Sequence, residues 1–167
     1  MNKQKLRQEL KESMLAKNEL KTSVLRMLLS AISYYEIQKG TELWQKASSP
    51  ASEAKTGEGP YEATEDDILH VIQKEAKQRK DSIEQFNNAG RQELADKEQK
   101  ELDLLTIYLP EQMNEEEITK LVKEAISKTQ TSSLQDIGKI MGVLMPKIKG
   151  KADGNLVSSI VKKELTS

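Results

Sequence analysis

The residues with the clearest chemical potential lie between Pro146 and Asn155. Three lysines alternate with other residues there: Lys147, Lys149 and Lys151. In an extended segment alternate side chains point the same way, so these lysines would share one side while Ile148 anchors the other. Because the segment leads into a helix whose first N–H groups favour anions, the pattern predicts a phosphate cradle. The alternative is a solvated lysine loop in which Gly150 and Gly154 serve only as turn residues.

The preceding helix, predicted from Asp136 to about Met145, carries two interior glycines, Gly138 and Gly142. Each glycine costs about 1 kcal/mol relative to alanine at such a position, so both require an explanation. On a helical wheel they form a smooth strip just outside the apolar stripe, with Lys139 nearby. Either a neighbouring helix packs tightly on this strip, or the strip meets a ribose-phosphate backbone. The residues alone favour neither.

Composition excludes several kinds of chemistry. The chain has no cysteine and a single histidine, His70, which removes disulfides, zinc ribbons, iron–sulfur clusters and thiol catalysis. The densest charged run, Glu75–Asp81, places no nucleophile beside a base. We therefore predict no catalytic residue, no metal site and no cofactor.

Composition also limits the fold class. Hydrophobic residues make up 36%, charged residues 32% and aromatic residues 4% of the 167, which suits amphipathic helices better than a buried parallel sheet. No apolar run reaches the roughly 20 residues of a membrane span, and Met1–Lys5 leads into no apolar targeting segment. These observations predict an all-α protein that is cytoplasmic and has no membrane partner.

Charge is balanced overall but not along the chain. The formal net charge is −1, with basic side chains in excess over residues 1–39 and 134–167 and acidic ones in excess over 64–112. This distribution argues against coating of bulk nucleic acid and allows a local phosphate site.

Helical periodicity predicts two helices before the composition changes. The first covers about 3–17, and the second, a very apolar helix over 19–39, is expected to end at Gly40. Residues 41–63 have the Ser, Gly, Glu and Pro content of a flexible insertion. Trp44 at its start is expected to pack back on the preceding helix.

Capping signals place the remaining helices. Helix starts are predicted at Thr64, Arg91, Asn114, Ser133 with Asp136, and Asp153 or Asn155. Helix ends are predicted near Gly90, at Pro110 and at Pro146. The hinge after Pro110 divides the chain into an N-terminal helical domain over 1–112 and a three-helix domain over 113–167.

The C-terminal stretch Asp136–Val157 resembles the YqeY family, whose C-terminal region is related to the tail of the GatB subunit of aspartyl/glutamyl-tRNA amidotransferase. Further matching segments are Ser23–Met27, Glu75–Ser82, Ala89–Arg91 and Tyr108–Gln112. The resemblance covers the chain except for the insertion between Gly40 and Ala63. It implies an N-terminal helical bundle followed by a small three-helix domain like the GatB tail.

The resemblance also implies RNA binding without chemistry. The GatB tail contacts tRNA, while the amide transfer from glutamine, a carbon–nitrogen ligase reaction, takes place elsewhere in that complex. tRNA is therefore the expected partner, with amidotransferase or aminoacyl-tRNA synthetase components as further candidates. The matching positions, which become candidate RNA contacts, are Gly138, Lys139, Gly142, Lys147, Lys149, Gly150, Lys151, Asp153 and Gly154.

Three functions fit these observations. The first is a non-catalytic tRNA-binding accessory protein, and the second is a factor that assists or regulates glutamine-dependent amidation of aminoacyl-tRNA. The third is a protein-interaction module whose glycine strip accepts a partner helix. The net charge of −1 weakens the first and leaves the third open.

Overall fold

The computed structural model describes residues 1–47, 60–129 and 136–166. Over these ranges the chain forms seven α-helices and no strand, so the predicted all-α class is confirmed. The helices are α1 (Lys3–Leu15), α2 (Glu19–Ala47), α3 (Glu65–Asn88), α4 (Gln92–Thr106), α5 (Glu115–Thr129), α6 (Ile137–Ile148) and α7 (Gly154–Thr166). Within the same ranges, no helix combines the length and the apolar character that crossing a bilayer requires.

The chain divides into two units, Met1–Tyr108 and Leu109–Ser167. The first contains α1 to α4 and the second contains α5 to α7. The sequence places the boundary after residue 112, whereas in the structure the preceding residues already belong to the second unit. The side-chain amide of Gln112 donates to the carbonyl oxygen of Gly150 at 2.8 Å, which ties this segment to the turn after α6.

The central helix of the first unit is α2. Four of its apolar residues have at most 1% of their surface exposed, as their helical spacing predicts: Val24, Leu25, Leu28 and Ile32. Side chains from the other three helices are equally buried: Leu6, Ile68, Ile72 and Leu105. Burial of each such side chain contributes about 1.5–3 kcal/mol, so this apolar contact holds the four helices together.

The second helix does not end at Gly40, as the sequence predicts, but continues to Ala47. A glycine weakens a helix interior by about 1 kcal/mol without ending it, and Tyr61 lies beside this one. A Cβ atom at Gly40 would lie 3.6 Å from the Cβ of Tyr61. Trp44 therefore lies within α2 and is 65% exposed, so the expectation that it packs back on this helix is wrong.

The segment predicted as a flexible insertion, 41–63, is ordered at both ends. Residues 41–47 belong to α2. At the other end, the backbone N–H of Ala63 donates to Glu36 Oε1 at 3.1 Å. Residues 48–59 lie outside the described ranges.

The start of α3 is held by hydrogen bonds to Asp67. Thr64 and Asp67 form the predicted capping box, in which each backbone N–H donates to the other's side chain, at 2.9 and 3.2 Å. The hydroxyls of Tyr35 and Tyr61 donate to the two carboxylate oxygens at 2.7 and 2.6 Å. Burial raises the pKa of Asp67, but the hydrogen bonds from Thr64, Tyr61 and Tyr35 outweigh it and hold that pKa well below its ordinary value.

The second unit packs three helices around one core. Its buried core residues come from all three helices: Ile118, Val122, Ala125, Ile140, Leu144, Ile148, Val157, Ile160 and Val161. The predicted cap of α5 is present, since Asn114 Oδ1 accepts from the N–H of Glu117 at 2.9 Å and Glu117 Oε2 accepts from the N–H of Asn114 at 3.0 Å. The acidic residues at this helix start therefore have a structural role.

Helix α6 continues past Pro146, where the sequence predicts its end, and reaches Ile148. A proline inside a helix has no N–H to donate to the carbonyl four residues earlier, here Gly142, and costs about 3 kcal/mol. Burial of Ile148, one turn after Leu144 in the same apolar row, opposes that cost. The cap expected from Ser133 lies outside the described residues.

Candidate nucleic-acid interface

The two glycines of α6 lie on its exposed side. Gly138, Gly142 and Pro146 follow one another at four-residue spacing, and all three are exposed. A Cβ atom built on either glycine would have no atom within 4 Å apart from its own helix backbone and chain neighbours, so no described residue of this unit packs against the two glycines. We call these three residues the glycine strip. Met145 lies beside it and is 47% exposed.

The expected extended segment after residue 146 is wrong, because Lys147 and Ile148 are still helical. At 100° per residue, Lys147 lies about 140° around the helix axis from Gly142. Lys139 lies only about 60° from Gly142. The ammonium group of Lys139 is 2.7 Å from Asp136 Oδ1, and its side chain is 71% exposed. Exposed pairs of this kind contribute about 0–1 kcal/mol, so a phosphate can compete with Asp136.

The turn after α6 is fixed by its backbone. Gly150 is buried and has a φ of +81°, a conformation that favours glycine. The N–H of Lys151 donates to the carbonyl of Ile148, and the N–H of Met113 donates to the carbonyl of Lys151, both at 2.8 Å. Lys147, Lys149 and Lys151 are exposed on this turn. We call the segment from Lys147 to Lys151 the basic turn.

Sequence reasoning missed the part that Gln112 and Met113 play in holding the basic turn. Both residues lie in the segment interpreted as a hinge between the domains. The sequence signal was present, because Tyr108–Gln112 is among the segments that match the family. That segment carried no periodicity from which a contact with the turn could be derived.

The start of α7 does not supply the free anion site that the sequence predicts. Asp153 Oδ1 accepts from the N–H groups of Asn155 and Leu156 at 2.8 and 3.2 Å, so Asp153 is the cap. Its carboxylate occupies the position that a phosphate would take and repels a second anion. Gly154 begins the helix, and a Cβ there would contact no other atom. Phosphate contacts must therefore come mainly from lysines.

The structure thus brings the nine candidate residues into α6, the turn that follows it and the start of α7, although they do not all face one way. The glycine strip and Lys139 share one side of α6, and Lys147 lies further around the helix. No group of three or more acidic or histidine side chains in the described ranges could hold a metal ion. RNA contact at these residues remains a prediction.

The fold and this interface define a class: an all-α protein of two helical units, with a basic turn in its C-terminal three-helix unit. The family model described as Yqey-like protein matches residues 45–165. The chain therefore belongs to this family, as the resemblance of its motifs indicates.

Three fungal relatives give the range of similarity. A protein of Pyrenophora tritici-repentis named altered inheritance of mitochondria protein 41, mitochondrial, is 38% identical over 59% of this chain and 56% of its own length. An uncharacterized protein of Schizosaccharomyces pombe is 33% identical over 64% of this chain and 70% of its own length. A Saccharomyces cerevisiae protein, also named altered inheritance of mitochondria protein 41, is 31% identical over 82% of this chain and 66% of its own length. The chain thus spans little more than half of the first relative.

These relatives correct the predicted location. The sequence predicts a cytoplasmic protein, but the related proteins from Pyrenophora and Saccharomyces are named as mitochondrial proteins. The prediction relied on the absence of an apolar targeting segment. Mitochondrial transit peptides are amphipathic and rich in arginine and serine, so that absence does not bear on them.

Proposed function

We propose that this protein is a non-catalytic RNA-binding accessory factor that binds tRNA through the exposed side of α6 and the basic turn. The kinship of the family with GatB links this function to glutamine-dependent amidation of aminoacyl-tRNA. The open glycine strip carries the proposal. Gly138 and Gly142 weaken α6, and no described residue packs against them.

A bare backbone on an exposed helix suits a ligand that is itself bulky and continuous. A ribose-phosphate backbone approaching α6 at Gly138 and Gly142 would meet no side chain of those two residues. Lys139, about 60° away around the helix, could then reach a phosphate oxygen. Such contacts position an RNA without reading its sequence, so we expect little discrimination among tRNAs.

The basic turn supplies the remaining charge. Its backbone is held by the positive φ of Gly150 and by hydrogen bonds from Gln112 and Met113, so its lysines project from a fixed frame. Three or four lysines neutralise about as many phosphates, which gives a slope of log affinity against log salt of roughly −2 to −4. Binding should therefore be weak and sensitive to salt.

The test is a titration of labelled tRNA, with mitochondrial tRNA included because of the relatives, at several salt concentrations. Lys151→Ala should weaken binding of all tRNAs similarly and reduce the magnitude of the slope by about 1. Lys120→Ala is the matched control, because it removes one exposed lysine from α5 in the same unit. Equal loss in both variants would show a diffuse charge effect and contradict the proposed interface.

A second pair of variants separates shape from charge. Gly142→Leu should lower affinity with little change in the salt slope, provided that circular dichroism shows an intact fold. Replacement of Lys147, Lys149 and Lys151 together by alanine should abolish most of the salt dependence. Unchanged tRNA affinity in a folded triple variant would refute RNA binding by the basic turn.

The proposed factor carries out no chemistry itself. Purified protein supplied with glutamine, ATP and glutamyl-tRNA is expected to form no amide product, because the sequence offers no nucleophile beside a base. Turnover that disappears on replacement of one carboxylate or lysine would contradict this part of the proposal.

Apolar exposure around the glycine strip supports a second candidate, docking of a partner helix. Met145 and Val143, which neighbour the strip on α6, are 47% and 36% exposed. Small residues flanked by apolar ones allow two helices to pack closely. This candidate predicts that Gly142→Leu disrupts binding of a protein, while alanine at the three lysines of the basic turn leaves it intact.

A further inference from the structure

From Ser30 to Trp44, α2 presents an uncharged stripe that is exposed to solvent, with Pro60 and Tyr61 beside its C-terminal part. Its members recur every three or four residues, and all are exposed: Ser30, Tyr34, Ile37, Thr41 and Trp44. The three large side chains, at positions 34, 37 and 44, are 62%, 67% and 65% exposed. At 1.5 Å per residue, the stripe is about 21 Å long. We call these five residues the α2 stripe.

Charged side chains in this part of α2 avoid the stripe. Lys39, Glu42 and Lys46 lie about 140–180° around the helix axis from Ile37. Glu36 lies about 100° from Ile37, but its side chain is only 14% exposed and its carboxylate is paired with Lys3. A helix face that is simply solvated carries charged and polar side chains. Absence of charge together with exposed Tyr and Trp is instead typical of the core of a protein–protein interface.

We propose that the α2 stripe is a dimer interface in which a second copy of this chain packs antiparallel and crosses at Ile37. An uncharged surface can meet its own copy without like-charge repulsion, and it offers no charge to attract an oppositely charged partner. A two-fold axis pairs the same patch on both subunits. The α2 stripe can pair with its own copy in this way along its whole length.

Side-chain size supports the same arrangement. A two-fold axis at Ile37 brings Trp44 to the level of Ser30 of the partner subunit. It also brings Tyr34 beside Thr41 of the partner subunit, on the same flank of the stripe and one residue apart in level. Each aromatic side chain thus meets a smaller residue, which is the large-against-small pattern of a packed interface.

The interface is small, so the dimer should be weak. An aromatic side chain buries at most about 150–250 Å². The three large side chains of both copies would therefore bury on the order of 1,000 Å², the low end for specific interfaces. We expect a dissociation constant on the order of 10–100 µM.

Sedimentation velocity of the full chain, from low micromolar to several hundred micromolar, tests the proposal. We expect a monomer–dimer equilibrium that Ile37→Asp abolishes, because the two-fold axis would place two carboxylates against each other. Leu43→Asp is the matched control: Leu43 is 46% exposed on the same helix but about 120° around it from Ile37. A monomer at all concentrations overturns the proposal, and so does a dimer that both variants weaken equally or neither affects.

Cross-linking provides an independent readout, because the chain has no cysteine. A short bis-maleimide should link two copies of the Ile37→Cys variant and leave the Leu43→Cys variant monomeric. Trp44, the only tryptophan, should shift its emission to shorter wavelength as concentration rises. Failure of Ile37→Cys to cross-link at a concentration where the wild type is dimeric would show that the dimer uses another surface and would overturn the proposal.

Discussion

Replacing Arg79 by methionine should strongly destabilise the first unit. Arg79 lies on α3 and is only 8% exposed, although it belongs to the charged run Glu75–Asp81. Its guanidinium donates to Glu75, one turn earlier on α3, at 3.4 Å and to Glu101 on α4 at 2.7 Å. Both glutamate side chains are 14% exposed. The arginine thus joins α3 to α4 through carboxylates that have little access to water.

The expected cost follows from leaving two carboxylates without their partner. Breaking a buried ion pair by removing one member typically costs about 3–5 kcal/mol, because the other charge stays buried and uncompensated. Glu75 and Glu101 keep some contact with solvent, so we expect about 3 kcal/mol. Methionine fills a similar volume, so loss of packing should add little.

Urea denaturation followed by circular dichroism measures this loss, and hydrogen exchange of the α3 and α4 amides places it in the first unit. The matched control is Arg91→Met, because Arg91 is exposed at the start of α4 and its side chain makes no capping hydrogen bond. That change should stay within about 0.5 kcal/mol.

A triple variant tests whether the loss of stability in Arg79→Met comes from the two carboxylates left without a partner. Arg79 Nε is buried and has no hydrogen-bond partner among the described residues, an additional cost of about 1–3 kcal/mol in the wild type. Changing Glu75 and Glu101 to leucine together with Arg79→Met removes all three charges of this cluster and should restore most of the lost stability. The reasoning is refuted if Arg79→Met costs less than about 1 kcal/mol, or if the triple variant is no more stable than the single one.

Four further predictions concern Asp67, Tyr35 and the glycines. Because the pKa of Asp67 is depressed, its carboxylate stabilises the fold above the ordinary pKa of 3.8, and this stabilisation is lost as pH falls through the lower pKa of the folded state. Asp67→Asn should therefore reduce stability at neutral pH and flatten the acid dependence of denaturation. The hydrogen bond to Asp67 raises the pKa of Tyr35 to about 12, and in the same variant a phenol absorbance titration should find it nearer 10.0. Gly150→Ala should destabilise the second unit by about 1–2 kcal/mol in denaturation experiments, because alanine is strained at a φ of +81°. Gly138→Ala and Gly142→Ala should each raise stability by up to about 1 kcal/mol, since the added Cβ meets no atom; destabilisation by either would show a packing role for the strip.

Local signals in the sequence predicted most of the fold because they act over a single helical turn. Apolar spacing identified the buried side of α2, and the caps at Thr64, Asn114 and Asp153 need only residues up to three positions away. The two wrong helix ends, at Gly40 and Pro146, have a common cause. Contacts with residues distant in sequence or burial in the core outweighed local signals that would otherwise end a helix.

The candidate site was harder to predict, because side-chain direction depends on the local backbone. Lys147 was placed with Lys149 and Lys151 on the assumption of an extended chain, and the extra helical turn directs it elsewhere. Arg79 was missed for a related reason. A charged run on a helix has both solvated and buried members, and only the position of α4 decides that Arg79 is buried.

The energetics of α6 make its exposed side the strongest candidate for function, independently of the number of lysines. Gly138, Gly142 and Pro146 are three residues that weaken a helix, and they occupy one exposed row. Together they cost on the order of 5 kcal/mol relative to alanine, a large amount beside a typical stability of 5–15 kcal/mol. No contact with a described residue repays the two glycines. Residues that lower stability without a packing benefit are typical of functional surfaces, so a ligand that needs close approach to the backbone explains this row better than folding alone.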